Sequence, residues 1–434
     1  MKKTKIAFIS LGCSKNLVDS QRILAMLLPE CELTDDYQTA EFIFINTCGF
    51  IENAKREAID TILEMAEYKE NGKCRKLIVL GCLAERYRNE LKEEIPEIDV
   101  IVPISLYVSL REILADELEL ACFGVYGESR LLTNSTWSAY LKIAEGCDNH
   151  CSYCSIPLIR KGYNSVPIEN LVNEAIALTK QGVKELVLVA QDTTLYGKDI
   201  YSYLALGDLL KELHKINDIH WIRVLYMYPA LLSEELIDTM KELPKVLMYF
   251  DLPLQHGSDR MLKLMNRKGT IDEFTKKIEY LRSLGVPYVL RTTMMVGFPG
   301  EADEDFDILL DYVHRLRFDH LGAFIYSPEE DTPAYDYQDQ IEAKVAEKRY
   351  QELLISQQEI AKIQRDKLLD QVLEVLIEKQ TGVDSYEGRC FYQAPEGIDG
   401  VTKVSSNDKL NIGEFYQVKI IDVDSYDLFA ETFG

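Results

Sequence analysis

Three cysteines in the middle of the chain are spaced for an inorganic cluster. Cys147, Cys151 and Cys154 form a Cys-x3-Cys-x2-Cys motif. Three thiolates can hold three irons of a [4Fe-4S] cluster and leave the fourth iron open to another ligand. His150 could instead complete a four-ligand zinc site, but the paired Cys-x2-Cys halves of a zinc ribbon are missing. The spacing therefore favours an iron-sulfur cluster with one open iron.

Three further cysteines each end a short apolar run. Cys13, Cys48 and Cys82 close the runs 5–13, 42–48 and 76–82, and each run precedes a helix-like stretch. Continuous apolar runs that alternate with helices predict a doubly wound parallel sheet. Ligands bind beyond the carboxyl ends of such strands, so we expect these cysteines to converge on one point. The same placement is not seen for the cysteines interpreted as ordinary buried residues, Cys31, Cys74, Cys122 and Cys390.

The middle of the chain, residues 133–365, alternates between strand-like and helix-like stretches. Six βα units predict an open, partial barrel, since a complete eight-stranded barrel needs more chain. An open side would admit a macromolecular substrate. The predicted strands are 137–145, 184–191, 220–228, 246–254, 287–296 and 320–326.

A long polar stretch from Asp339 to Leu369 has helical spacing and predicts a helix that packs on the barrel. The end of the chain, residues 366–434, has a different pattern. Four short β-like runs follow, broken by glycines, and predict a small antiparallel β-barrel. The runs are 372–377, 386–392, 415–423 and 428–432.

Together these features resemble the radical S-adenosylmethionine (SAM) superfamily and, within it, the methylthiotransferases. The resemblance rests on the central cysteine motif and on the three-cysteine α/β domain, residues 4–120, that precedes it. It implies two [4Fe-4S] clusters: one on Cys147, Cys151 and Cys154 that binds and cleaves SAM, and an auxiliary one on Cys13, Cys48 and Cys82 that carries sulfur. By position, the terminal barrel resembles a TRAM domain.

The same resemblance makes polar residues and glycines near strand ends candidates for SAM binding, because strand carboxyl ends carry the chemistry of such barrels. Gly297 and Gly300 belong to a turn that would let the backbone approach the adenosine end of SAM. The cofactor-binding candidates are Glu145, Gln191, Gln255, Arg291, Gly297 and Gly300, and further polar candidates at strand ends are Asp192, Ser258 and Thr293.

Charge bears on the choice of substrate. The whole chain has 48 basic and 72 acidic residues, a net charge of -24. From Asp370 to Gly434, 13 acidic residues oppose 5 basic ones, a net charge of -8. An RNA-binding barrel needs basic residues along its groove, whereas an acidic barrel attracts a basic protein.

Local sequences favour one branch of the methylthiotransferases. Residues 140–147, 223–229 and 251–257 resemble the branch that modifies an aspartate of the small-subunit ribosomal protein uS12. The resemblance implies radical abstraction of hydrogen from the aspartate β-carbon, then methylthiolation. The alternatives are a tRNA adenosine methylthiotransferase and, in another class, an iron-sulfur electron carrier or scaffold.

The expected partners are uS12 and an unidentified electron donor, with nucleic acid contacted at most indirectly through the ribosome. Ten cysteines in 434 residues do not form the dense framework of a small disulfide-rich domain. No apolar run approaches the roughly 20 residues that cross a bilayer. We therefore expect a cytoplasmic protein without a membrane partner.

Overall fold

The computed structural model describes residues 3–120 and 124–433. Cys122 lies outside the described residues, whereas Cys31, Cys74 and Cys390 are buried, as expected. In the part of the chain that is described, no helix combines the length and apolarity needed to cross a membrane.

The first domain is a parallel sheet with apolar cores on both faces. In β3, Phe42 and Phe44 pack into one core while Ile43 and Ile45 pack into the other. The strand order is β2-β1-β3-β4-β5, with every neighbouring pair parallel. The strands are β1 (Thr4–Ser10), β2 (Cys31–Leu33), β3 (Phe42–Thr47), β4 (Lys76–Gly81) and β5 (Val100–Pro103). The predicted doubly wound α/β domain is confirmed, and β2 and β5 are edge strands beyond those predicted.

Short connections lead from the ends of β1, β3, β4 and β5 into helices, whereas β2 leads into β3. The helices of this domain are α1 (Ser14–Leu27), α2 (Glu52–Ala66), α3 (Tyr68–Asn71), α4 (Cys82–Arg86), α5 (Arg88–Glu94) and α6 (Leu110–Leu118), with a 3-10 helix at Ile104–Ser109.

The central domain contains six parallel strands of three to eight residues, one in each predicted range. They form two three-stranded sheets, β6-β9-β10 and β11-β12-β13, which a single parallel bridge between Ile222 and Val246 joins. The strands are β6 (Ser138–Lys142), β9 (Glu185–Val189), β10 (Trp221–Val224), β11 (Tyr249–Asp251), β12 (Val289–Val296) and β13 (His320–Ile325), with a small antiparallel pair of β7 (Ala144–Glu145) and β8 (Asn164–Ser165). The described strands thus form the predicted open, partial barrel.

Helices cover the outside of this barrel. A capping box between Thr270 and Glu273 begins α13. The helices are α7 (Ile156–Arg160), α8 (Ile168–Thr179), α9 (Lys198–Tyr201), α10 (Leu206–His214), α11 (Glu234–Glu242), α12 (Asp259–Leu264), α13 (Ile271–Ser283), α14 (Asp303–Leu316) and α15 (Ala343–Asp366), with 3-10 helices at Pro229–Leu231 and Pro333–Asp336. The predicted long connecting helix is α15.

The terminal domain is a closed five-stranded barrel in the order β14-β15-β16-β18-β17. One strand, β16, was not predicted, and it pairs with β18 in parallel, so the barrel is not purely antiparallel as expected. The strands are β14 (Val372–Gln380), β15 (Ser385–Arg389), β16 (Thr402–Ser405), β17 (Phe415–Val423) and β18 (Leu428–Thr432), with a 3-10 helix at Pro395–Gly397.

Buried charges join the terminal barrel to the central domain. Arg389 donates to Glu185 at 2.6 Å, and Arg223 donates to the same carboxylate at 3.2 Å. A second contact joins Arg291 of β12 to Asp399 at 3.2 Å. A buried charge that loses its partner is energetically costly, so these ion pairs favour one arrangement of the two domains.

Candidate active site

The structure brings Cys13, Cys48 and Cys82 together at one edge of the first sheet. Cys13 precedes α1, Cys48 follows β3, and Cys82 is the first residue of α4. Gly12 has a φ of +91°, and a Cβ added there would lie 2.9 Å from Cys48 Cβ and 3.3 Å from Cys48 Sγ. Only glycine therefore lets the turn after β1 pass so close to Cys48.

The three thiols have different environments. Burial and the nearby Cys82 raise the pKa of Cys48 to about 11. Burial also raises the pKa of Cys82, although Arg160 opposes it. For Cys13, which retains solvent access, burial opposes ionisation, but Lys15 and Arg160 lower the pKa overall. Positive charge is therefore available on one side of this site to stabilise thiolates.

The second group of cysteines lies on the loop between β7 and α7. The backbone N–H of Cys154 donates to the carbonyl of Cys151 at 3.0 Å, which curls the loop. Burial is the main cause that raises the pKa of Cys147 to about 11 and of Cys154 to about 12. Arg267 Nη1 lies 3.7 Å from Cys151 Sγ. As free thiols Cys147 and Cys154 would remain protonated, so a metal would have to displace their protons.

Polar neighbours hold this loop against the barrel. Asn149 Nδ2 donates to Asp192 Oδ2 at 2.8 Å and lies 3.5 Å from Cys147 Sγ. His150 is exposed on the loop and lines a cavity with Lys263 and Tyr337. Within the described residues, no three His, Cys, Asp or Glu side chains converge closely enough for a single metal ion. In an iron-sulfur cluster each thiolate binds a different iron, so the sulfurs need not meet at one ion.

Arg160, the last residue of α7, joins Cys82 of the first cysteine group to Glu145, which lies two residues before the second group. Its Nη2 donates to Cys82 Sγ at 3.4 Å, and its Nη1 donates to Glu145 Oε1 at 2.7 Å and to Asp19 Oδ2 at 3.1 Å. Asn16 accepts a further hydrogen bond from Nη2. The first domain and the cysteine loop of the barrel therefore share one buried guanidinium.

Glu145 lies two residues before Cys147 and makes several contacts. It accepts from Lys142 at 2.7 Å and from the side-chain amide of Gln191 at 3.1 Å. Burial opposes its ionisation, yet Lys142 and Arg160 hold the pKa of Glu145 below its usual range. The amide oxygen of Gln191 is buried and has no hydrogen-bond partner among the described residues. Of the predicted cofactor-binding residues, Glu145 and Gln191 are thus in direct contact.

The remaining predicted cofactor-binding residues lie on β12 or near the ends of β11 and β12. Gln255 follows β11, and its buried amide oxygen also lacks a partner. A Cβ on Gly297 would lie 2.6 Å from Ala346 Cβ, so this glycine accommodates α15. The carbonyl of Gly300 accepts from Arg260 at 2.6 Å. Arg291 lies early in β12 and donates hydrogen bonds to Asp251 of β11 and to Asp399 of the terminal barrel.

The three further polar candidates, Asp192, Ser258 and Thr293, have structural partners of their own. Asp192 accepts from Thr194 at 2.6 Å as well as from Asn149, and Ser258 donates to Asp305 at 2.8 Å. Thr293 is a residue of β12 whose carbonyl accepts from the N–H of Gln255 at 2.9 Å.

Three family profiles match the chain in the order of its domains. The uncharacterized protein family UPF0004 matches residues 5–103, the radical SAM superfamily matches 141–313, and the TRAM domain matches 371–432. These matches agree with the predicted order of an α/β domain, a radical SAM core and a TRAM barrel.

Relatives that span the whole chain decide the family. A protein of Acetivibrio thermocellus described as ribosomal protein uS12 methylthiotransferase RimO is 44% identical over 99% of this chain and 98% of its own length. Proteins of the same description from Clostridioides difficile and Caldicellulosiruptor saccharolyticus are each 46% identical over 99% of this chain and 98% and 99% of their own lengths. This chain belongs to the uS12 methylthiotransferase family. The predicted class of enzyme, a radical SAM methylthiotransferase, is confirmed.

Solved structures of other radical SAM enzymes have a fold similar to that of this member of the uS12 methylthiotransferase family. The radical SAM methyltransferase TsrM from Kitasatospora setae, described with cobalamin and a [4Fe-4S] cluster bound, has a TM-score of 0.56 at 14% identity and covers 77% of both chains. The cobalamin-dependent radical SAM enzyme OxsB has a TM-score of 0.51 at 12% identity, over 83% of this chain and 56% of the other. At such identities the similarity shows the fold alone.

Sequence reasoning missed several residues that this member of the uS12 methylthiotransferase family places between its cysteine groups. Arg160, Asp19, Asn16 and Lys142 are all buried despite their polarity. One signal was present: α1 has polar residues at Asn16 and Asp19, which share a helical face directly after Cys13. That face meets the barrel, which the sequence alone does not reveal.

Proposed function

We propose that this protein attaches a methylthio group to the β-carbon of an aspartate in ribosomal protein uS12, using SAM and two [4Fe-4S] clusters. The observation that carries the proposal is that the chain forms two groups of three cysteines, with Arg160 at 3.4 Å from Cys82 Sγ of the first group and at 2.7 Å from Glu145, two residues before Cys147 of the second. The family membership and the radical SAM profile support SAM and an iron-sulfur cluster. The second cluster is the finer part of the proposal.

Each site has the ligands that a cluster of this type needs. Cys147, Cys151 and Cys154 would hold the cluster that binds SAM, and Cys13, Cys48 and Cys82 the auxiliary one. When bound, these groups supply the 5'-deoxyadenosyl radical and the sulfur to be transferred. A radical suits the task because the aspartate β-carbon is not acidic enough for ordinary general-base catalysis. An external one-electron donor is required.

The chain's own residues would bind and orient SAM. Two buried amide oxygens without partners, on Gln191 and Gln255, are available to accept hydrogen bonds from a ligand's amino or hydroxyl groups. Glu145 keeps Gln191 in place from the other side, at 3.1 Å. Asn149 and Asp192, 2.8 Å apart, hold the cysteine loop in register with the end of β9.

The charge of the terminal barrel supports a basic protein as substrate. Its 13 acidic and 5 basic residues give a net charge of -8 from Asp370 to Gly434. Such a surface would repel a tRNA backbone and steer a basic protein toward the open side of the central barrel. The names of the full-length relatives also specify uS12.

The direct test is product formation. The protein would be reconstituted anaerobically with iron and sulfide, then given SAM, a reductant and either uS12 or tRNA containing isopentenyladenosine. We expect mass spectrometry to find the methylthio group on an aspartate peptide of uS12 only. Modification of the tRNA alone would refute the substrate while leaving the radical chemistry intact.

The two-cluster part is tested by counting iron. Replacing Cys13, Cys48 and Cys82 together by alanine should remove about half of the bound iron and abolish the product, and so should replacing Cys147, Cys151 and Cys154. A single Cys82→Ser variant should also be inactive. The buried Cys390 at the terminal barrel is the control, and Cys390→Ser should retain all of its iron. An active Cys82→Ser variant would contradict the auxiliary site.

A further inference from the structure

A positively charged cleft lies on this acidic protein, away from both groups of cysteines. It has a volume of about 350 Å³, and four of its seven lining residues are Arg or Lys, with a histidine as a fifth basic group. It lies where α13, α14 and α15 end. The lining residues are Arg282, Tyr288, His314, Arg315, Arg317, Gln364 and Lys367.

Helix ends explain part of this charge. Cations at a helix C-terminus are stabilised by the helix dipole, and Arg282 donates to the carbonyl of Leu316 at the end of α14. Arg315, Arg317 and Lys367, however, are exposed. None of the four Arg and Lys residues of the cleft belongs to a salt bridge among the described residues. By contrast, Lys362 of α15, which does not line the cleft, forms a salt bridge with Asp366 at 2.7 Å.

Unpaired cations are unexpected on this surface. With 72 acidic and 48 basic residues, the chain offers an excess of carboxylates to pair with exposed bases. Cations held together without carboxylates repel one another, and an anion bound among them would remove that repulsion. Arginine side chains bind phosphate oxygens with two parallel hydrogen bonds, so phosphate is the anion that best fits them.

The cleft adjoins the acidic terminal barrel. Lys362 Nζ, near the end of α15, donates to the carbonyl of Val423 at 2.9 Å, and the N–H of Asp370 donates to Ile420 at 2.9 Å. The side-chain amide of Gln364, which lines the cleft, donates a hydrogen bond to the backbone carbonyl of Arg317 at 2.8 Å. A surface suited to a basic protein and a cleft suited to phosphate therefore lie side by side.

We propose that this cleft binds the phosphate backbone of small-subunit ribosomal RNA next to the target protein. The inference rests on the proposed function, because a ribosomal protein within a subunit is surrounded by phosphates. The acidic barrel and the basic cleft would then recognise the protein and its adjacent RNA together. Arg315, Arg317 and Lys367 make the phosphate contacts, and they read no base sequence.

The test compares two triple variants with the same loss of charge. One is Arg315→Gln, Arg317→Gln and Lys367→Gln in the cleft. The control is Lys211→Gln, Lys215→Gln and Lys241→Gln, exposed residues of α10, α11 and the loop after α10. Binding to 30S subunits isolated from cells that lack the modification would be measured across a salt series, and methylthiolation of free uS12 would be measured in parallel.

For the cleft variant we expect weaker binding to 30S subunits and a slope of log K against log salt that is smaller by about 2, since each lost phosphate contact removes about 0.7. Its rate on free uS12 should match that of the control. Equal 30S affinity and slope in the two variants would overturn the proposal, and so would an equal loss on free uS12, which would indicate a protein contact. Absence of any uS12 product from the unmodified enzyme would instead refute the proposed function.

Discussion

Replacing Arg160 by glutamine should lower the reduction potential of the proposed auxiliary cluster. Arg160 donates to Cys82 Sγ at 3.4 Å and is 6% exposed, so water cannot replace its charge easily. The substitution removes a positive charge from beside a ligand, and it leaves the carboxylates of Asp19 and Glu145 with one cation fewer. Both changes disfavour an added electron, so the potential should become more negative.

The size of the shift follows from the geometry. Two unit charges about 5 Å apart interact by about 3 kcal/mol at an effective dielectric constant of about 20. For a one-electron couple, about 3 kcal/mol corresponds to about 130 mV. Cys13 is exposed, so solvent at the open side of the site screens part of this interaction. We therefore expect a decrease between about 60 and 130 mV, within the range over which hydrogen bonds and charge tune such clusters.

The assay isolates the auxiliary cluster. In a background with Cys147, Cys151 and Cys154 all replaced by alanine, the remaining cluster would be titrated potentiometrically and followed by electron paramagnetic resonance. Iron content would show that the site is still loaded. Arg160→Lys keeps the charge but not the planar fork, so it should recover most of the potential.

The matched control is Arg130→Gln. Arg130 is buried at the same contact between the first domain and the barrel, where it donates to Gln21 at 2.7 Å and to Glu174 at 3.3 Å, and neither contact involves a cysteine. Its loss should leave the potential unchanged. If Arg160→Gln and Arg130→Gln gave the same potential with full iron content, the electrostatic role of Arg160 would be refuted.

Three further predictions concern the auxiliary site and buried titrating groups. Gly12→Ala should reduce iron at the auxiliary site alone, because its Cβ would lie 2.9 Å from Cys48 Cβ. If Gly12→Ala also lowered the iron content of a protein that already lacks Cys13, Cys48 and Cys82, this prediction would be contradicted. Burial raises the pKa of Asp319 to about 6 from 3.8, so the folded state loses stability as pH rises through about 6, by about 3 kcal/mol. Asp319→Asn should therefore stabilise the protein at pH 8 but not at pH 4 in urea unfolding, and an equal effect at both would count against it. Burial lowers the pKa of His320 to about 4 from 6.5, so the contribution of this residue to stability falls by about 3 kcal/mol as pH drops from 6.5 to 4, a change that Asp319 offsets in the wild type. Relative to the wild type, His320→Gln should therefore gain about 3 kcal/mol between pH 6.5 and 4, and a wild-type pH profile in the variant would disprove it.

The cysteine sites could be predicted from sequence because their signals are local. Cys13, Cys48 and Cys82 each end an apolar run, and a general rule of parallel sheets brings such strand ends to one edge. Arg160 could not be predicted in this way. Its acceptors Asp19 and Asn16 lie 141 and 144 residues away in sequence. Only the packing of α1 against the barrel brings them together.

The sequence also did not predict which side chains a residue contacts at its position along a strand. Arg291 was placed on the correct strand, but its contacts depend on its pairing opposite Asp251 and on Asp399 from the terminal barrel. Strand β16 was missed because Thr402–Ser405 has four residues and little apolar character. Its position depends on pairing with β15 and β18, and this closes the barrel.

The buried ion pairs lie where domains meet, and this suggests what they contribute. Replacing a whole buried pair by apolar residues is often neutral for stability, whereas removing one partner costs about 3–5 kcal/mol. Arg160 with Asp19 and Arg389 with Glu185 therefore add little net stability over an apolar contact, but each tolerates only one arrangement of the domains. The proposed transfer between two clusters needs their spacing to be fixed, and an apolar interface could slide without a comparable penalty. The charged contacts at these interfaces are thus better explained by the precision of the active site than by the stability of the fold.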